Sequence, residues 1–350
     1  MGPLEVERRA PEDADEIFRL YEEVFGAQMT EASQRRWRWQ YLENPANSAD
    51  GPEIWVAREG GQVLGQYASM PVRLWWGGRE VRSSWGMDVF LRAEARGRGL
   101  GARLFTAWSD HVDVALGLGL TPSSYGLFKK LAYRDVGPVP FFQKVMDPEA
   151  VAARRVGPSL GAAAGPVLGL AWNALHPEAA PRDTGIEVRT VTGFHAGYDT
   201  LWERARASYA MCVRRDAAYL EWKYARCPHR RYALREARRE GELLGFAVSR
   251  DEDYRGLRLG WIVDVFAAAE DHDARDALIG AVLDSFRQAR VARAQAFSMG
   301  AALQQDLARR GFAAGPSPMQ FCVRARVPSE GVFEDPGRWH VVFGDSDMDR

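Results

Sequence analysis

Cysteine is scarce. Cys212, Cys227 and Cys322 are the only three in 350 residues, an odd number without metal-ligand spacing, which excludes a disulfide framework and a zinc ribbon and fits reduced thiols. Excess charge of one sign is also missing. With 46 basic and 47 acidic residues the formal net charge is −1, so no global field invites nucleic acid, and none is expected as a partner. Met1 to Glu7 put acid where an export signal has base followed by a long apolar run, and the expected location is the cytoplasm. No long apolar run appears elsewhere. The charge-free stretch Val156 to Leu175 contains Pro158, Ser159, Pro166 and Asn173 and is rich in weakly inserting glycine and alanine, which argues against stable membrane insertion. Gly157, Gly161, Gly165 and Gly169 repeat there at four-residue spacing, which suits a close-packed helix or an interdomain linker.

What is present is the composition of a globular chain with real cores, 46% hydrophobic and 27% charged, and long enough for two domains. Leu4 to Arg9 reads as a strand, and Pro11 to Asp15 as the acidic first turn of a helix through Ile17, Leu20 and Phe25. Arg35 to Pro45 reads as a helix that buries its aromatics and leaves its arginines in water. Ile54–Arg58 and Val63–Met70 form a glycine-turn hairpin, and Arg79–Ser84 leads through Trp85 into another strand. Asp113 to Gly119 suits a buried strand, Ser123 or Ser124 can cap a helix through Leu127, Phe128 and Leu131, and Val139 to Val145 closes the first set. The order implies an α/β layer.

At its centre lies Arg96-Gly97-Arg98-Gly99-Leu100-Gly101-Ala102, between the apolar run Met87-Asp88-Val89-Phe90-Leu91 and a helical pattern. Alternating glycines allow a tight turn that brings N–H groups and a helix N-terminus against an anion, with Arg96 and Arg98 beside them. The dinucleotide fingerprint and the P-loop both require other spacings. The spacing R-x-x-G-x-G resembles motif A of the GNAT superfamily of acyl-CoA-dependent N-acyltransferases.

The second half repeats the first at an offset of roughly 180 residues. Trp39-Gln40-Tyr41 before Pro45 matches Trp222-Lys223-Tyr224 before Pro228, Gly61–Gly65 matches Gly241–Gly245, Met87–Phe90 matches Val263–Phe266, and Leu131–Tyr133 matches Arg310–Phe312. After Phe266, however, Ala267 to Asp276 holds no glycine, and Glu270, Asp271, Asp273 and Asp276 would repel a pyrophosphate. The chain thus resembles a tandem GNAT protein with two mixed, mostly antiparallel sheets flanked by helices. The expected units are an acyl-CoA-binding domain at 1–147, a linker or packing helix at 148–184, a degenerate copy at 185–328 and a tail at 329–350.

The resemblance implies that backbone N–H groups of Arg96 to Ala102 hold the pyrophosphate of acetyl-CoA or another acyl-CoA, and that Val89, Phe90 and Leu91 pair with pantetheine as an added strand. A small-molecule amine would attack the thioester directly. The acid that resembling proteins place on the following helix is a tyrosine, but Phe128 stands there and cannot donate a proton. Tyr125, one turn earlier, is the substitute candidate, and Asp88 the candidate base, although Asp264 holds the same position in the second copy. His111 and His195 are isolated and read as solvated or core residues. Asp345, Asp347 and Asp349 alternate as calcium ligands can but read as a solvated acidic tail, with no metal site expected. The alternative is a non-catalytic acyl-CoA-binding or scaffold protein; an aminoacyl-tRNA-dependent transferase fits the intact cradle and near-neutral charge less well. A monomer or homodimer is expected.

Overall fold

The computed structural model describes residues 4–9, 13–180, 182–329, 331–347 and 349; part of the predicted opening turn at Pro11 and Glu12 lies outside them. In chain order the elements of the first half are β1 (Leu4–Arg8), α1 (Ala14–Phe25), α2 (Glu31–Trp37), β2 (Ile54–Glu59), β3 (Gln62–Trp76), β4 (Arg79–Leu91), α3 (Leu100–Ser109), β5 (Val114–Leu118), α4 (Pro122–Lys130), β6 (Arg134–Pro138) and β7 (Phe141–Val145). A helical pair follows, α5 (Pro148–Val156) and α6 (Pro158–Leu175). The remainder holds β8 (Glu187–Val191), α7 (Gly197–Ala205), β9 (Met211–Val213), α8 (Ala217–Leu220), β10 (Ala233–Arg239), β11 (Glu242–Tyr254) and β12 (Leu257–Ala267). It ends with α9 (His272–Gln288), β13 (Arg293–Phe297), α10 (Ala301–Arg309), β14 (Ala313–Gly315), β15 (Gln320–Ala325) and β16 (Trp339–His340).

These strands form two mixed sheets flanked by helices. The first runs β1-β2-β3-β4-β5-β15-β6, with β9 joined to β3 and β16 to β9; the second runs β14-β7-β13-β12-β11-β10-β8. The first sheet therefore holds β9, β15 and β16 from the second half of the chain, and the second sheet holds β7 from the first. The run Val139–Val145, expected to close the first set, instead sends β7 between β13 and β14, while β15 sits antiparallel between β5 and β6. Both strands are short and largely apolar, so either suits either slot by pattern, and long-range packing decides.

Local features recur in the two halves. Arg38–Leu42 and Glu221–Ala225 each wind one π-helical turn, and the turns meet face to face. Trp39 Nε1 donates to the carbonyl of Trp222 at 2.8 Å and Trp222 Nε1 to that of Trp39 at 2.9 Å, with the rings stacked at 5.1 Å. The helical segment near Arg35 does bury its aromatics, but Trp39 covers the other half of the molecule as well as its own.

The glycine stripe lies in a helix hairpin. A Cβ on Gly161 would stand 2.3 Å from the Cα of Ala153, and one on Gly165 2.7 Å from that of Glu149, so only glycine lets α6 approach α5 this closely. No helix among the described residues is long and apolar enough to cross a membrane.

The acidic tail is a correction. Asp345 is 2% and Asp349 7% exposed, because arginines distant in sequence reach them: Arg215 Nη2 donates to Asp345 Oδ1 at 3.0 Å and Arg250 Nε to Asp349 Oδ1 at 2.6 Å. The α4 cap is another correction. Thr121 accepts the N–H of Ser124, with Pro122 opening the helix, so the cap precedes both expected serines.

Candidate active site

The first site is built where β4 leaves β5. The two strands pair in parallel only from Ser83–Val114 to Trp85–Leu116. At the next residue, a Cβ on Gly86 would meet Tyr67 Oη at 2.1 Å and the Trp108 ring at 2.6 Å, so the strand passes close beneath that ring. On the β3 side the register then slips: Ser69 opposes Gly86 while Tyr67 opposes Val89. Met87 and Asp88 thus face Ala68 alone, a bulge that turns the strand. Beyond it β4 has no partner on its β5 side among the described residues, and Val89 and Leu91 remain partly open.

The chain continues into the glycine loop. Gly97 and Gly99 adopt φ of +76° and +75°, conformations that suit glycine, and a Cβ on either would point into open space. Gly99 caps α3 without a side-chain acceptor, so the first N–H groups of that helix face outward together with the dipole. Arg98 pairs with Glu59 at 2.7 Å, and Arg96 is exposed. Leu100 is buried and anchors the helix, whereas Gly101 lies between Leu91 and Leu127 and Ala102 is partly buried. These residues fit a pyrophosphate through backbone N–H groups.

Asp88 opens onto a cavity of about 270 Å³ on the other face, with Tyr21, Phe25, Arg36, Trp37 and Tyr41 among its walls. Tyr21 Oη donates to Asp88 Oδ2 at 2.8 Å and Tyr41 Oη to the same oxygen at 2.6 Å. The two tyrosines were not identified from sequence, although the repeat pairs Tyr41 with Tyr224 and Asp88 with Asp264. Tyr125 does not line this cavity. It borders the same core cluster as Val89 and Leu91, and its Oη donates to Asp135 Oδ2 at 3.1 Å. The bond to Asp135, then burial, raises its phenol pKa. Phe128 is 2% exposed, packed on Gly117, Phe105 and Tyr133. His111 packs on Trp55, and His195 accepts the N–H of Gly197.

The second half repeats the splay and fills it. β12 and β13 pair in parallel from Leu259–Arg293 to Ile262–Ala296 and then separate. Into the gap runs the tail: Met299 N–H donates to Val341 O at 2.9 Å, Ser298 bridges Val342, and Phe343 stacks on Trp261 at 4.6 Å. Val265, Phe266 and Ala267 are accordingly fully buried. Asp264 accepts from Tyr224 at 2.9 Å, as Asp88 does from Tyr41, but also pairs with buried Arg215, which holds Asp345 on its other side. The acids after Phe266 are partly neutralised within the fold. Asp271 caps α9 through the N–H of Ala274, Asp276 pairs with Arg310, and Arg275 binds Asp306 together with the carbonyls of Ala268 and Ala269.

A splayed parallel pair, a bulge and a glycine loop opening a helix define an acyltransferase-type fold, and comparison with known proteins agrees. The profile of the acetyltransferase (GNAT) domain matches residues 5–134. Similar solved structures include a GCN5-related N-acetyltransferase from Anabaena variabilis ATCC 29413, at 14% identity and TM-score 0.62 over 92% of this chain and 73% of that one. Another from Kribbella flavida gives 15% and 0.60 over 92% and 71%. Saccharomyces cerevisiae N-myristoyltransferase with bound myristoyl-CoA gives 11% and 0.52 over 92% and 83%. No curated protein matches.

Proposed function

We infer that this chain is an acyl-CoA-dependent N-acyltransferase, with acetyl-CoA as the default donor, one working site in its first domain and a degenerate second copy. The observation that carries the reading is the unpaired edge of β4 leading into an uncapped, glycine-lined helix N-terminus. In this reading the N–H groups from Gly97 to Ala102 hold the pyrophosphate, and Val89 to Leu91 pair with the pantetheine amides. The units 1–147 and 185–328 are the two copies, having exchanged a strand.

The acceptor amine occupies the cavity beside Asp88. The paired phenols of Tyr21 and Tyr41 hold that carboxylate in place, and Asp88 takes the amine's proton as nitrogen attacks the thioester carbon. The carbon–sulfur bond breaks, and Tyr125 protonates the leaving thiolate, then recovers a proton from solvent. Loss of the Tyr125–Asp135 bond accompanies that transfer. The second reading, acyl-CoA binding without turnover, draws on that same bond and on Phe128, which fills the space of the expected acid.

Thiol release from acetyl-CoA in the presence of a panel of primary amines tests the choice. Amine-dependent release that falls about a hundredfold in Tyr125→Phe, with coenzyme A affinity kept, supports catalysis. Binding without release from any amine supports the scaffold.

A further inference from the structure

The cavity beside Asp88 has one acid and one base among its lining residues, Asp88 itself and Arg36. One wall is a single helical face: Ser33, Arg36, Trp37, Gln40 and Tyr41 fall at the i, i+3, i+4, i+7 and i+8 positions along α2 and the π-helical turn that continues it. Gln40 Nε2 donates to Met87 Sδ at 3.5 Å, so this face runs past the bulge that presents Asp88. Arg36 precedes Gln40 by one turn, about 6 Å of helix rise.

The Arg36 charge is not cancelled within the fold. The acids on the same stretch are engaged elsewhere, Glu31 with Arg35 and Glu43 with Arg226, and no carboxylate among the described residues forms an ion pair with Arg36. Burial, then this charge, lowers the pKa of His229, as an uncompensated cation nearby does. The rest of the wall is largely apolar. Phe25 is 59% exposed and meets Phe90 edge-on at 5.5 Å, and Met29 and Trp37 line the same space. Aromatic walls with a few placed charges are the make-up of a small-molecule site, and about 270 Å³ suits a compact ligand.

We propose that the acceptor is a free amino acid with an aromatic or large apolar side chain. Its α-carboxylate pairs with the fork of Arg36, its α-amine faces Asp88, and its side chain covers Phe25 and Trp37. This assignment rests on reading the cavity as the acceptor site of an acyltransferase. The α-amine enters the step without its ammonium proton. Nitrogen gains the acyl carbon and sulfur loses it; the N–H proton passes to Asp88 and then to solvent, and sulfur takes a proton from Tyr125. The products are an N-acyl amino acid and free coenzyme A.

Isothermal titration of the full chain in the presence of coenzyme A, with L-phenylalanine, phenethylamine and glycine as probes, tests it. Phenylalanine should bind at least about tenfold more tightly than phenethylamine, which lacks the carboxylate, and than glycine, which lacks the side chain. Arg36→Gln should bring phenylalanine down to the affinity of phenethylamine, and Phe25→Ala should narrow its lead over glycine. No binding of phenylalanine, equal binding of phenylalanine and phenethylamine, or a preference that survives Arg36→Gln overturns the proposal. Thiol release from acetyl-CoA reads the underlying activity separately. Phenylalanine bound with the expected preference but without release keeps the Arg36 pocket and overturns the acyltransferase reading instead.

Discussion

The two splayed strand pairs start alike and end differently. β4 and β12 both carry a bulge, and each places a tyrosine-bonded aspartate beside it. In the first half eight residues, 92–99, then lead to α3 and the gap beside β4 stays unpaired; in the second only four, 268–271, lead to α9 and the tail occupies the gap. The same backbone device thus leaves an open cleft in one place and forms a joint that holds the C-terminal segment in the other. Loop length and the wedge decide between these uses, while the bulge belongs to both.

Substitutions can break this contrast. The largest expected effect is at Arg215, fully buried between Asp264 and Asp345. Arg215→Leu leaves two carboxylates buried without their cation and should cost about 3–5 kcal/mol in denaturant unfolding; an unchanged midpoint would show that the joint is not held by charge. Next comes the cleft. Gly99→Glu puts a side chain and a negative charge at φ +75° and should weaken coenzyme A binding at least about a hundredfold, or about 2.7 kcal/mol, whereas Glu270→Gln in the second loop should leave it unchanged. Asp88→Asn should lower turnover about a hundredfold with coenzyme A affinity kept, separating the open aspartate from its buried counterpart.

Smaller effects follow. Gly161→Leu forces α6 off α5 and should cost about 1–3 kcal/mol, while Leu170→Ser, on the exposed face of the same helix, should stay within about 0.5 kcal/mol. The acid limb of stability should also be set in the second half. Burial, then the charges of Arg36 and Arg230, push His229 down to about 4, and His340 also lies well below its usual value. The unfolded chain takes up these protons first, so the contribution of His229 is full above pH 6.5 and is lost as pH falls toward about 4, and that of His340 is lost in the same direction. Asp345, raised by burial to about 6 with Arg215 opposing, works the other way below that pH. Thermal melts should show that His229→Gln flattens the loss; an unchanged slope would remove this residue from the account.

The legible parts of the molecule were those whose signals are local. The glycine loop is readable because Gly97 and Gly99 take left-handed conformations within one short turn, and the stripe at Gly161 and Gly165 because a helix repeats its face at that spacing. The strand exchange is not, since β7 and β15 carry no feature that prefers one sheet over the other. The tail misled for a similar reason. Alternating Asp345, Asp347 and Asp349 look solvated until Arg215 and Arg250 arrive from 130 and 99 residues away. The hold of Tyr41 on Asp88 spans 47 residues and was visible only as an unexplained pair of matches in the repeat.

The central claim is one open cleft and one sealed one per chain. Isothermal titration of the full chain with coenzyme A measures it directly. The account predicts one molecule bound per chain, with binding lost in Gly99→Glu; two per chain, none, or one that survives that substitution would contradict it.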